Sequence, residues 1–478
     1  MRIEQFFLDG LGHQSYSVAD EAEHLAVVVD PRRDVEIYLE AAARDGAKIT
    51  HVFETHIHND YVTGARELAA RTGATIVASA DAALAYDYLP VHDGDRVTSG
   101  ALTLTALATP GHTPEHMSYV LSASETATPE AVFTGGSMLP GGSGRTDLLG
   151  AAQTLTLTRQ QYHSLLRLLG ALPDAVRVFP THGAGSFCAS GPASGQRSST
   201  IGHERLASPA VHARDVEDFV RTQMAGYGAY PTYYASMRAV NQHGPRVFGA
   251  VPEPPALDAR AVADLLAAGT PLVDGRHRNA FAAAHAHGAI NVEIRQDFGT
   301  YVGWILPFDA PLLLLVEEEP RRREAVVQLF RIGYEHVRGY LEGGLAAWTA
   351  AGLPTEGFAQ TDVETLYARW RGGEPLAILD VRRDDEWGEG HIPGTQHIHV
   401  GDLLGRMDEV PRDRPVAVIC ATGFRAETAA SLLAPTGREV IAVTGGVPNW
   451  IRHGHPVATG EDEASALPTP DPATHDHP

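Results

Sequence analysis

The sequence predicts an α/β protein built of several domains, and three observations lead to that prediction. The chain has 478 residues, which is more than a single hydrophobic core usually fills. Short apolar runs alternate with amphipathic helical stretches along residues 1–240, a pattern typical of layered α/β domains. Further along, a unit of about one hundred residues occurs twice. We therefore predict domains at residues 1–243, 256–356 and 362–458, followed by a disordered tail at 459–478.

The charge balance and the cysteine count narrow the classes of function. Lys and Arg number 37 against 59 Asp and Glu, and the net charge of −22 should repel nucleic acids and anionic membranes. The cysteines, Cys188 and Cys420, fall in different predicted domains, which excludes a disulfide framework and fits a reducing cytoplasm. The N-terminus lacks a signal-peptide pattern, and no apolar run is long enough to span a membrane. We expect a cytoplasmic protein with small-molecule partners, and a homo-oligomer is compatible with this sequence.

The first predicted domain consists of buried strands with helices between them. Apolar runs predict strands at His24–Asp30 and Ile49–Glu54 and a helix at Val35–Arg44. Further strands are predicted at Leu102–Thr109, Ala131–Thr134 and Val176–Pro180. A Pro-rich stretch at residues 244–255 predicts a linker to the repeated unit.

Histidines lie just beyond three of these strands. His56, His58 and Asp60 follow the strand at 49–54, while His112 and His182 follow two later strands. Imidazoles and a carboxylate that converge at strand ends are typical of a catalytic metal site with open positions for substrate. Neutral imidazole suits iron or zinc, so the pattern predicts a metal centre.

At these residues the chain resembles the metallo-β-lactamase fold, an αββα sandwich, and within that fold the persulfide dioxygenase branch. The resemblance rests on Val29-Asp30-Pro31, the His-x-His-x-Asp run at 56–60, Pro110-Gly111-His112, Phe133-Thr134-Gly135, Gly144-Arg145-Thr146-Asp147 and Thr181-His182-Gly183. It implies mononuclear Fe(II) and oxidation of a persulfide by O₂, with a thiol such as glutathione as carrier. Arg145 is a candidate for binding the carboxylate of such a substrate, and an internal ion pair with Asp147 is the alternative.

Two positions depart from the pattern of that fold. Tyr61 stands where a histidine usually ends the first motif, and Gly136 stands where an acidic ligand is usual. Since a two-metal hydrolase of this fold uses both groups, the departures argue against a two-metal hydrolase. The resemblance carries two iron ligands over to His56 and His112, but its carboxylate ligand would fall on Gly136. A mononuclear site could still form from His56, His58 and His112, with Asp60 or His182 assisting. Zinc in the same site and a site without metal are the alternatives.

The second copy of the repeat contains a nucleophile motif. A strand at Val416–Ile419 leads into Cys420, and a helix is predicted at Ala426–Leu433. A cysteine between a strand and a helix lies among backbone N–H groups that stabilise a thiolate, and Arg425 adds positive charge. The spacing from Cys420 to Arg425 resembles the active loop of the rhodanese family, which implies sulfurtransferase chemistry with Cys420 as the sulfur carrier.

The first copy of the repeat preserves the framework without the nucleophile. Asp274, His285 and Trp348 recur at the spacing of Asp380, His391 and Trp450 in the second copy. The strand predicted at Pro311–Leu315 is followed by Val316 at the position of Cys420, and then by Glu317, Glu318 and Glu319. These carboxylates would repel an anion, so we expect an inactive rhodanese-like domain with a structural or docking role.

Together these features predict an enzyme of sulfur metabolism, a persulfide dioxygenase coupled to a sulfurtransferase at Cys420. A metal-dependent hydrolase of thioesters is one alternative. A sulfane-sulfur carrier or sensor with a non-catalytic first domain is another.

Overall fold

The computed structural model describes residues 1–183, 185–191 and 195–460. The predicted tail lies outside the described residues from residue 461 onward. The described residues form two compact units, the first comprising Met1–Pro252 with Val327–Tyr334 and the second Glu253–Val326 with the chain from Glu335 onward. Within the described part of the chain, no helix is long and apolar enough to cross a bilayer. The finer domain boundaries given above remain predictions.

Two six-stranded sheets form the first unit. The first sheet consists, in spatial order, of β1 (Arg2–Leu8), β2 (His13–Asp20), β3 (Leu25–Val29), β4 (Lys48–Phe53), β5 (Thr75–Ser79) and β6 (Leu89–Val91). The second consists of β7 (Arg96–Ser99), β8 (Leu102–Ala108), β9 (Met117–Ser122), β10 (Ala131–Gly135), β11 (Arg177–Pro180) and β12 (Ser199–Thr200). The helices are α1 (Glu36–Arg44), α2 (Ala65–Thr72), α3 (Ala151–Ala171), α4 (Ile201–Ala207), α5 (Pro209–His212), α6 (Val216–Ala225) and α7 (Tyr234–His243). Short three-ten helices occupy Asp9–Leu11 and Ala80–Ala82.

Strand β3 shows why the sheets lie between helical layers. Val27 and Val29 belong to the core between the two sheets, whereas Ala26 and Val28 pack in the cluster that contains α1. Alternate residues of a strand point to opposite faces, so an unbroken apolar run predicts a sheet covered on both sides. Burying each such valine stabilises the fold by roughly 1.5–3 kcal/mol. The arrangement confirms the predicted αββα sandwich.

Strand direction brings the predicted site residues together. Strands β8 and β10 are both antiparallel to β9, and β10 is parallel to β11. Strands β8, β10 and β11 therefore run in the same direction, and their carboxyl ends share one edge of the sheet. The predicted strands match these elements to within a few residues. The hairpin β1–β2 and strands β5, β6, β7, β9 and β12 were not among the predictions.

The Pro-rich stretch contains no helix or strand, yet its first part belongs to the first unit. The amides of Phe248 and Gly249 donate hydrogen bonds to the two carboxylate oxygens of Glu67, at 2.6 and 3.0 Å. The predicted linker is therefore anchored through residue 252.

The second unit contains two five-stranded parallel sheets of the same topology. The first copy consists of β13 (Ala256–Leu257), β14 (Leu272–Asp274), β15 (His285–Ala286), β16 (Ile290–Asn291), β17 (Leu312–Leu315), β18 (Val337–Leu341) and β19 (Thr355–Glu356). Its helices are α8 (Ala259–Ala267), α9 (Arg278–Ala283), α10 (Phe298–Ile305), α11 (Glu319–Arg331) and α12 (Gly344–Ala350). The second copy consists of β20 (Ala359–Thr361), β21 (Ala377–Asp380), β22 (Gln396–His397), β23 (Val416–Ile419) and β24 (Val440–Val443), with α13 (Val363–Arg371), α14 (Asp384–Glu389), α15 (Phe424–Leu433) and α16 (Gly446–Arg452). Three-ten helices lie at Met407–Glu409 and Ala434–Thr436.

The strand orders β13-β18-β17-β14-β16 and β20-β24-β23-β21-β22 are equivalent when each copy is numbered separately. Strands β15 and β19 pair separately as a two-stranded sheet. Trp348 lies in the core of the first copy and Trp450 in that of the second, and each indole N–H donates to a proline carbonyl six residues later. The topology confirms that the repeat is structural.

The repeated aspartates are framework residues. Asp274 accepts hydrogen bonds from Arg276 in the first copy, and Asp380 accepts the same bonds from Arg382 in the second. Both carboxylates end a central strand and are fully buried. Each ion pair fixes the turn after its strand.

The repeated histidines are also framework residues. His285 stacks on Phe281 at 3.8 Å between ring centres, and His391 stacks on Trp387 at 3.7 Å. In each case Nδ1 contacts the carbonyl of the aromatic residue itself. These signatures therefore support the fold in both copies, including the copy without a cysteine.

Candidate metal centre and cysteine loop

Three of the predicted histidine ligands meet at the shared edge of the sheets. His56 follows β4, His112 lies between β8 and β9, and His182 follows β11. Their side chains are buried, and one ring nitrogen from each lies within 4.8 Å of the others. The Nε2 atoms of His56 and His182 are 3.3 Å apart. The structure thus brings together residues that are 126 positions apart in the sequence.

His58 and Asp60 lie beside this group in different surroundings. Nε2 of His58 is 3.4 Å from a carboxylate oxygen of Asp30 and 3.3 Å from one of Glu54. Asp60 faces Nδ1 of His182 at 3.3 Å. Two further groups could hold a metal ion, namely Asp30, His56 and His58, and His58, Asp60 and His182.

Burial dominates the electrostatics of the cluster. It holds the pKa values of His56 and His112 well below their ordinary value, and the neighbouring imidazoles lower them further. These rings are therefore neutral at physiological pH, which is the form that binds a metal. Burial also lowers the pKa of His13 and His116 to about 3.

The carboxylates reverse this effect at His58. Burial alone would lower the pKa of His58, but the charges of Asp30 and Glu54 outweigh it and raise the pKa to about 10. Burial would raise the pKa of Asp60, but the neighbouring His182 outweighs it and the pKa falls to about 2. His58 and Asp60 therefore carry opposite charges beside the neutral rings.

Asp30 organises the ends of two strands. Its carboxylate accepts hydrogen bonds from the amide and hydroxyl of Thr55, both at 2.7 Å, and from the hydroxyl of Thr181. Its backbone φ of 50° is in the left-handed region, which is uncommon for a residue with a side chain and often marks a functional site. The sequence analysis noted Asp30 only as part of a strand-end motif. No signal in that motif indicated its contacts with His58 and the threonines.

The two departures from the family pattern have structural explanations. The hydroxyl of Tyr61 donates to the carbonyl of Asp30 at 3.3 Å, and its ring lies 4.5 Å from that of His58. At Gly136, an added Cβ would lie 2.2 Å from Cδ2 of His112. The imidazole of His112 therefore occupies the space that a side chain at position 136 would need.

A small pocket adjoins His56. It is lined by Glu54, Ile57, Thr63, Ala78, Ser79, Ala82, Leu84, Tyr86, Glu115 and Asn241 in addition to His56. Glu115 accepts the amide of Ile57 at 3.0 Å and forms a bidentate ion pair with Arg238. Sequence reasoning missed Glu115 because a lone glutamate in a loop carries no signal.

Arg145 forms the internal ion pair that was the alternative to substrate binding. Its guanidinium donates to both carboxylate oxygens of Asp147, at 2.6 and 2.7 Å, and to the carbonyls of Phe187 and Gly228. It also lies 4.6 Å from the centre of the Tyr230 ring. These contacts fix the loop that follows Gly144, and a substrate contact at Arg145 stays a prediction.

The cysteine loop of the second unit occupies the predicted place. Cys420 directly follows β23, and Gly423 precedes α15 in the left-handed conformation, with φ of 91°. The amide of Gly423 donates to Sγ of Cys420 at 3.1 Å. An added Cβ at Gly446 would lie 2.4 Å from the Cys420 carbonyl oxygen. Glycine at position 446 therefore leaves room for the cysteine loop. The loop therefore provides a donor for a thiolate or a bound sulfur anion.

Arg425 is paired with an acidic residue that the sequence analysis did not identify. Its guanidinium donates to both carboxylate oxygens of Glu386, at 2.6 and 2.7 Å. Burial would raise the pKa of Glu386, but Arg425 outweighs burial and the pKa falls to about 2. The motif predicted Arg425, whereas Glu386 lies on helix α14, 39 residues earlier in the chain.

The first copy has a different loop at the same place. Val316 directly follows β17 and is buried, and α11 begins at Glu319, so three residues separate strand and helix instead of four. An added Cβ at Gly344 would meet Glu317, just as one at Gly446 would meet Ala421. Val316 follows its strand as Cys420 does, so the first copy has no thiol at this position.

Aromatic and basic side chains of the first copy pack on the active loop of the second. The ring of Tyr301 meets that of Phe424 edge to face at 4.7 Å, and the guanidinium of Arg295 lies 4.6 Å from the same ring. Trp304 contacts His399 at 4.6 Å between ring centres. Side chains of the first copy therefore pack against Phe424 of the second.

Comparisons with known proteins agree with this architecture. The family model of the metallo-beta-lactamase superfamily matches residues 9–182, and that of the rhodanese-like domain matches residues 258–351 and 362–453. The chain is 32% identical over 240 residues to a human hydroxyacylglutathione hydrolase-like protein, covering 49% of this chain and 69% of that protein. It is 31% identical over 216 residues to human persulfide dioxygenase ETHE1, mitochondrial, covering 43% of this chain and 74% of that protein.

A solved structure described as a metallo-beta-lactamase from Staphylococcus aureus subsp. aureus COL is similar over a longer stretch. It matches with a TM-score of 0.64 and 28% identity, covering 71% of this chain and 98% of that one. The match is longer than the metallo-beta-lactamase segment alone.

Proposed function

The chain belongs to the metallo-beta-lactamase superfamily and carries two rhodanese-like domains in its C-terminal half, and on that basis we propose that it is a persulfide dioxygenase coupled to a sulfurtransferase. The net reaction of the first unit is RSSH + O₂ + H₂O → RSH + SO₃²⁻ + 2 H⁺. A glutathione-like thiol is the proposed carrier of the persulfide.

The histidine cluster suits a mononuclear iron centre. One ring nitrogen from each of His56, His112 and His182 lies within 4.8 Å of the others, burial keeps the pKa values of His56 and His112 low, and His58 and Asp60 lie beside them. Iron bound there would supply the coordination positions and the redox chemistry that bring O₂ to a persulfide. The ion pair of Glu115 with Arg238 holds the wall of the pocket next to His56.

Sulfur transfer at Cys420 requires no external oxidant. The thiolate of Cys420 attacks the outer sulfur of a persulfide or thiosulfate, and the donor S–S bond breaks with both electrons leaving on the thiolate or sulfite. Cys420 then carries the sulfur as a persulfide, whose charge the Gly423 amide stabilises. Attack by a second thiolate or by sulfite on that sulfur restores the Cys420 thiolate. Sulfite from the first unit would thus yield thiosulfate.

One observation carries the dioxygenase proposal over a two-metal thioester hydrolase. Tyr61 and Gly136 replace two groups that such a hydrolase uses, and the ring of His112 fills the space beside Gly136. The hydroxyl of Tyr61 is directed at the Asp30 carbonyl. These positions lack the ligands of a second metal. Gly136 also removes the carboxylate of the mononuclear branch, so a mononuclear site has to take its third ligand from His58, Asp60 or His182.

Oxygen uptake tests the proposal. The full chain, loaded anaerobically with Fe(II), is given glutathione persulfide, and O₂ consumption and sulfite are measured. We expect one sulfite per O₂ from the wild type and a loss of at least about 100-fold in His112→Ala. The exposed His163 provides a matched control, because His163→Ala should behave as wild type.

Two other results would contradict the dioxygenase. Hydrolysis of a glutathione thioester without O₂ uptake would favour the hydrolase. Neither reaction, together with intact sulfur transfer at Cys420, would favour a sulfur carrier or sensor.

A further inference from the structure

The three candidate ligand groups overlap, and the hydrogen bonds around the rings distinguish them. We infer that the metal is held by three histidines, His56, His112 and His182, and by no carboxylate. Asp60 would then orient His182, and His58 would pair with acidic residues outside the ligand set.

The Nδ1 atoms of His56 and His112 each donate a hydrogen bond. Nδ1 of His56 is 2.8 Å from the hydroxyl of Thr55, and that hydroxyl donates its own proton to Asp30. Nδ1 of His112 is 2.6 Å from the carbonyl of Arg145, which can only accept. Each ring therefore carries its proton on Nδ1 and presents the lone pair of Nε2.

His182 is oriented in the same way by a carboxylate. Its Nδ1 faces Asp60 at 3.3 Å, which leaves Nε2 directed toward Nε2 of His56. Metal-bound histidines usually donate the second ring N–H to a carboxylate, a carbonyl or a polar group of this kind. His56 and His112 thus show the outer hydrogen bonds that are typical of metal ligands, and His182 has a carboxylate beside its Nδ1 without a hydrogen bond to it.

The Nε2 atoms converge where a cation would stabilise them. The Nε2 atoms of His56 and His182 are 3.3 Å apart, and with the proton of His182 on the Nδ1 that faces Asp60, both would present lone pairs there. Nε2 of His112 is buried and has no hydrogen-bond partner among the described residues. Burying such acceptors without a partner is unfavourable, and a metal ion would satisfy all three together.

Position and contacts separate His58 from this set. Its Nε2 lies against the carboxylates of Asp30 and Glu54. Among the described residues, no group with ligand atoms within 4.8 Å of one another includes both His58 and His112. A ligand set that contains His112 therefore has to be completed by His182.

Close packing excludes a carboxylate at the usual position. A Cβ at Gly136 would be 2.2 Å from Cδ2 of His112, and one at Gly144 would be 2.6 Å from Nδ1 of the same ring. Glycine at both positions lets the His112 ring approach the backbone. Three neutral ligands leave the full charge of a divalent ion at the site. Such a site attracts an anionic persulfide more strongly than a site whose ligands include an aspartate.

Metal binding by variants of the full chain tests this inference. Bound iron is measured by mass spectrometry after anaerobic loading and desalting, and the ferrous nitric oxide adduct is recorded by electron paramagnetic resonance. We expect His182→Ala to weaken iron binding by about 100-fold or more, Asp60→Asn by about 10- to 100-fold, and His58→Ala by only a few-fold. If the alanine variant at 182 does not fold, His182→Gln replaces it with less change in volume.

A second pair of variants tests the packing argument. Gly136→Asp should lose iron although it introduces the carboxylate that relatives of this fold use, whereas Gly142→Asp should bind as wild type because its Cβ would meet nothing within 4 Å. The inference would be overturned if Gly136→Asp bound iron more tightly than wild type, or if His58→Ala lost iron while His182→Ala kept it. The inference rests on the proposed metal enzyme, but its readout is metal binding. Failure of oxygen uptake with these binding results intact would therefore remove the dioxygenase and leave the ligand set standing.

Discussion

In both rhodanese-like copies a buried strand ends, the chain turns and a helix begins, yet only the second copy has a nucleophile in the turn. The first copy keeps the aspartate–arginine pair, the stacked histidine and the buried tryptophan. It differs in the turn itself, where Val316 and glutamates replace Cys420 and its small neighbours. The framework residues therefore do not depend on the cysteine, since they persist in a copy that lacks it.

The difference also shows what the first copy contributes. Tyr301 and Arg295 contact Phe424, which opens the helix after the cysteine loop. The amide of Asn291 donates to the hydroxyl of Ser431 on the same helix at 3.0 Å. The copy without a thiol thus supports the copy with one, as expected of a structural module.

Exchanging the nucleophile between copies should produce the largest effect. We expect Cys420→Ser to reduce sulfur transfer from thiosulfate to cyanide by about 1000-fold or more, because serine cannot carry sulfane sulfur. Val316→Cys in that background should restore nothing, since the shorter turn and Glu317 provide no anion cradle. Cys188→Ser provides the control, because Cys188 is buried in the first unit and should leave the rate unchanged. Activity in the double variant would contradict the view that the loop, not the framework, determines function.

Much of this comparison was predictable from spacing alone. The distances from aspartate to histidine and from glycine to tryptophan are local, so two copies of the pattern predicted two copies of the fold. Strand β23 was predicted with its observed limits, and β17 within one residue, because buried parallel strands are unbroken apolar runs.

The contacts that determine chemistry were less predictable. His182, Glu386 and Tyr301 reach their partners across long sequence separations, and a single sequence contains no signal for such pairs. The alternatives of His58, Asp60 and His182 remained open for that reason. Only folded geometry distinguishes a ring that faces two carboxylates from a ring that faces another imidazole.

The surface between the two copies should give a smaller, pH-dependent effect. Glu427 on α15 accepts a hydrogen bond from Gln360 at 3.2 Å, while its other oxygen has no partner among the described residues. Burial raises the pKa of Glu427 to about 8, because it outweighs the hydrogen bond from Gln360 and the charge of Arg278, and the carboxylate of Glu293 adds a smaller increase. Between about pH 4.5 and pH 8 the folded state therefore binds more protons at this residue than the unfolded state. Its contribution to stability is present at low pH and is lost as the pH rises, by about 1 kcal/mol per pH unit.

Calorimetry at several pH values checks this sign. Glu427→Gln should remove that slope, so the variant should gain thermal stability relative to wild type at pH 8.5 compared with pH 5.5. The exposed Glu389 provides a control, because Glu389→Gln should leave the wild-type slope unchanged. Parallel pH profiles for wild type and Glu427→Gln would show that this carboxyl group titrates normally in the folded protein.

The smallest predicted effect concerns the hydroxyl of Tyr301, a residue of the first copy that contacts Phe424 of the second. Burial raises the pKa of Tyr301 to about 12, so its hydroxyl remains protonated. Arg425 lowers this pKa and Cys420 raises it. Tyr301→Phe keeps the edge-to-face contact with Phe424 and removes only a hydrogen-bond donor, so we expect sulfur transfer to fall by about 2- to 5-fold. Tyr301→Ala also removes the packing, and we expect a loss of about 10-fold with a larger part in KM. Because Tyr301 lies in a copy that has no nucleophile, a wild-type rate in both variants would show that the two copies share a fold but no function.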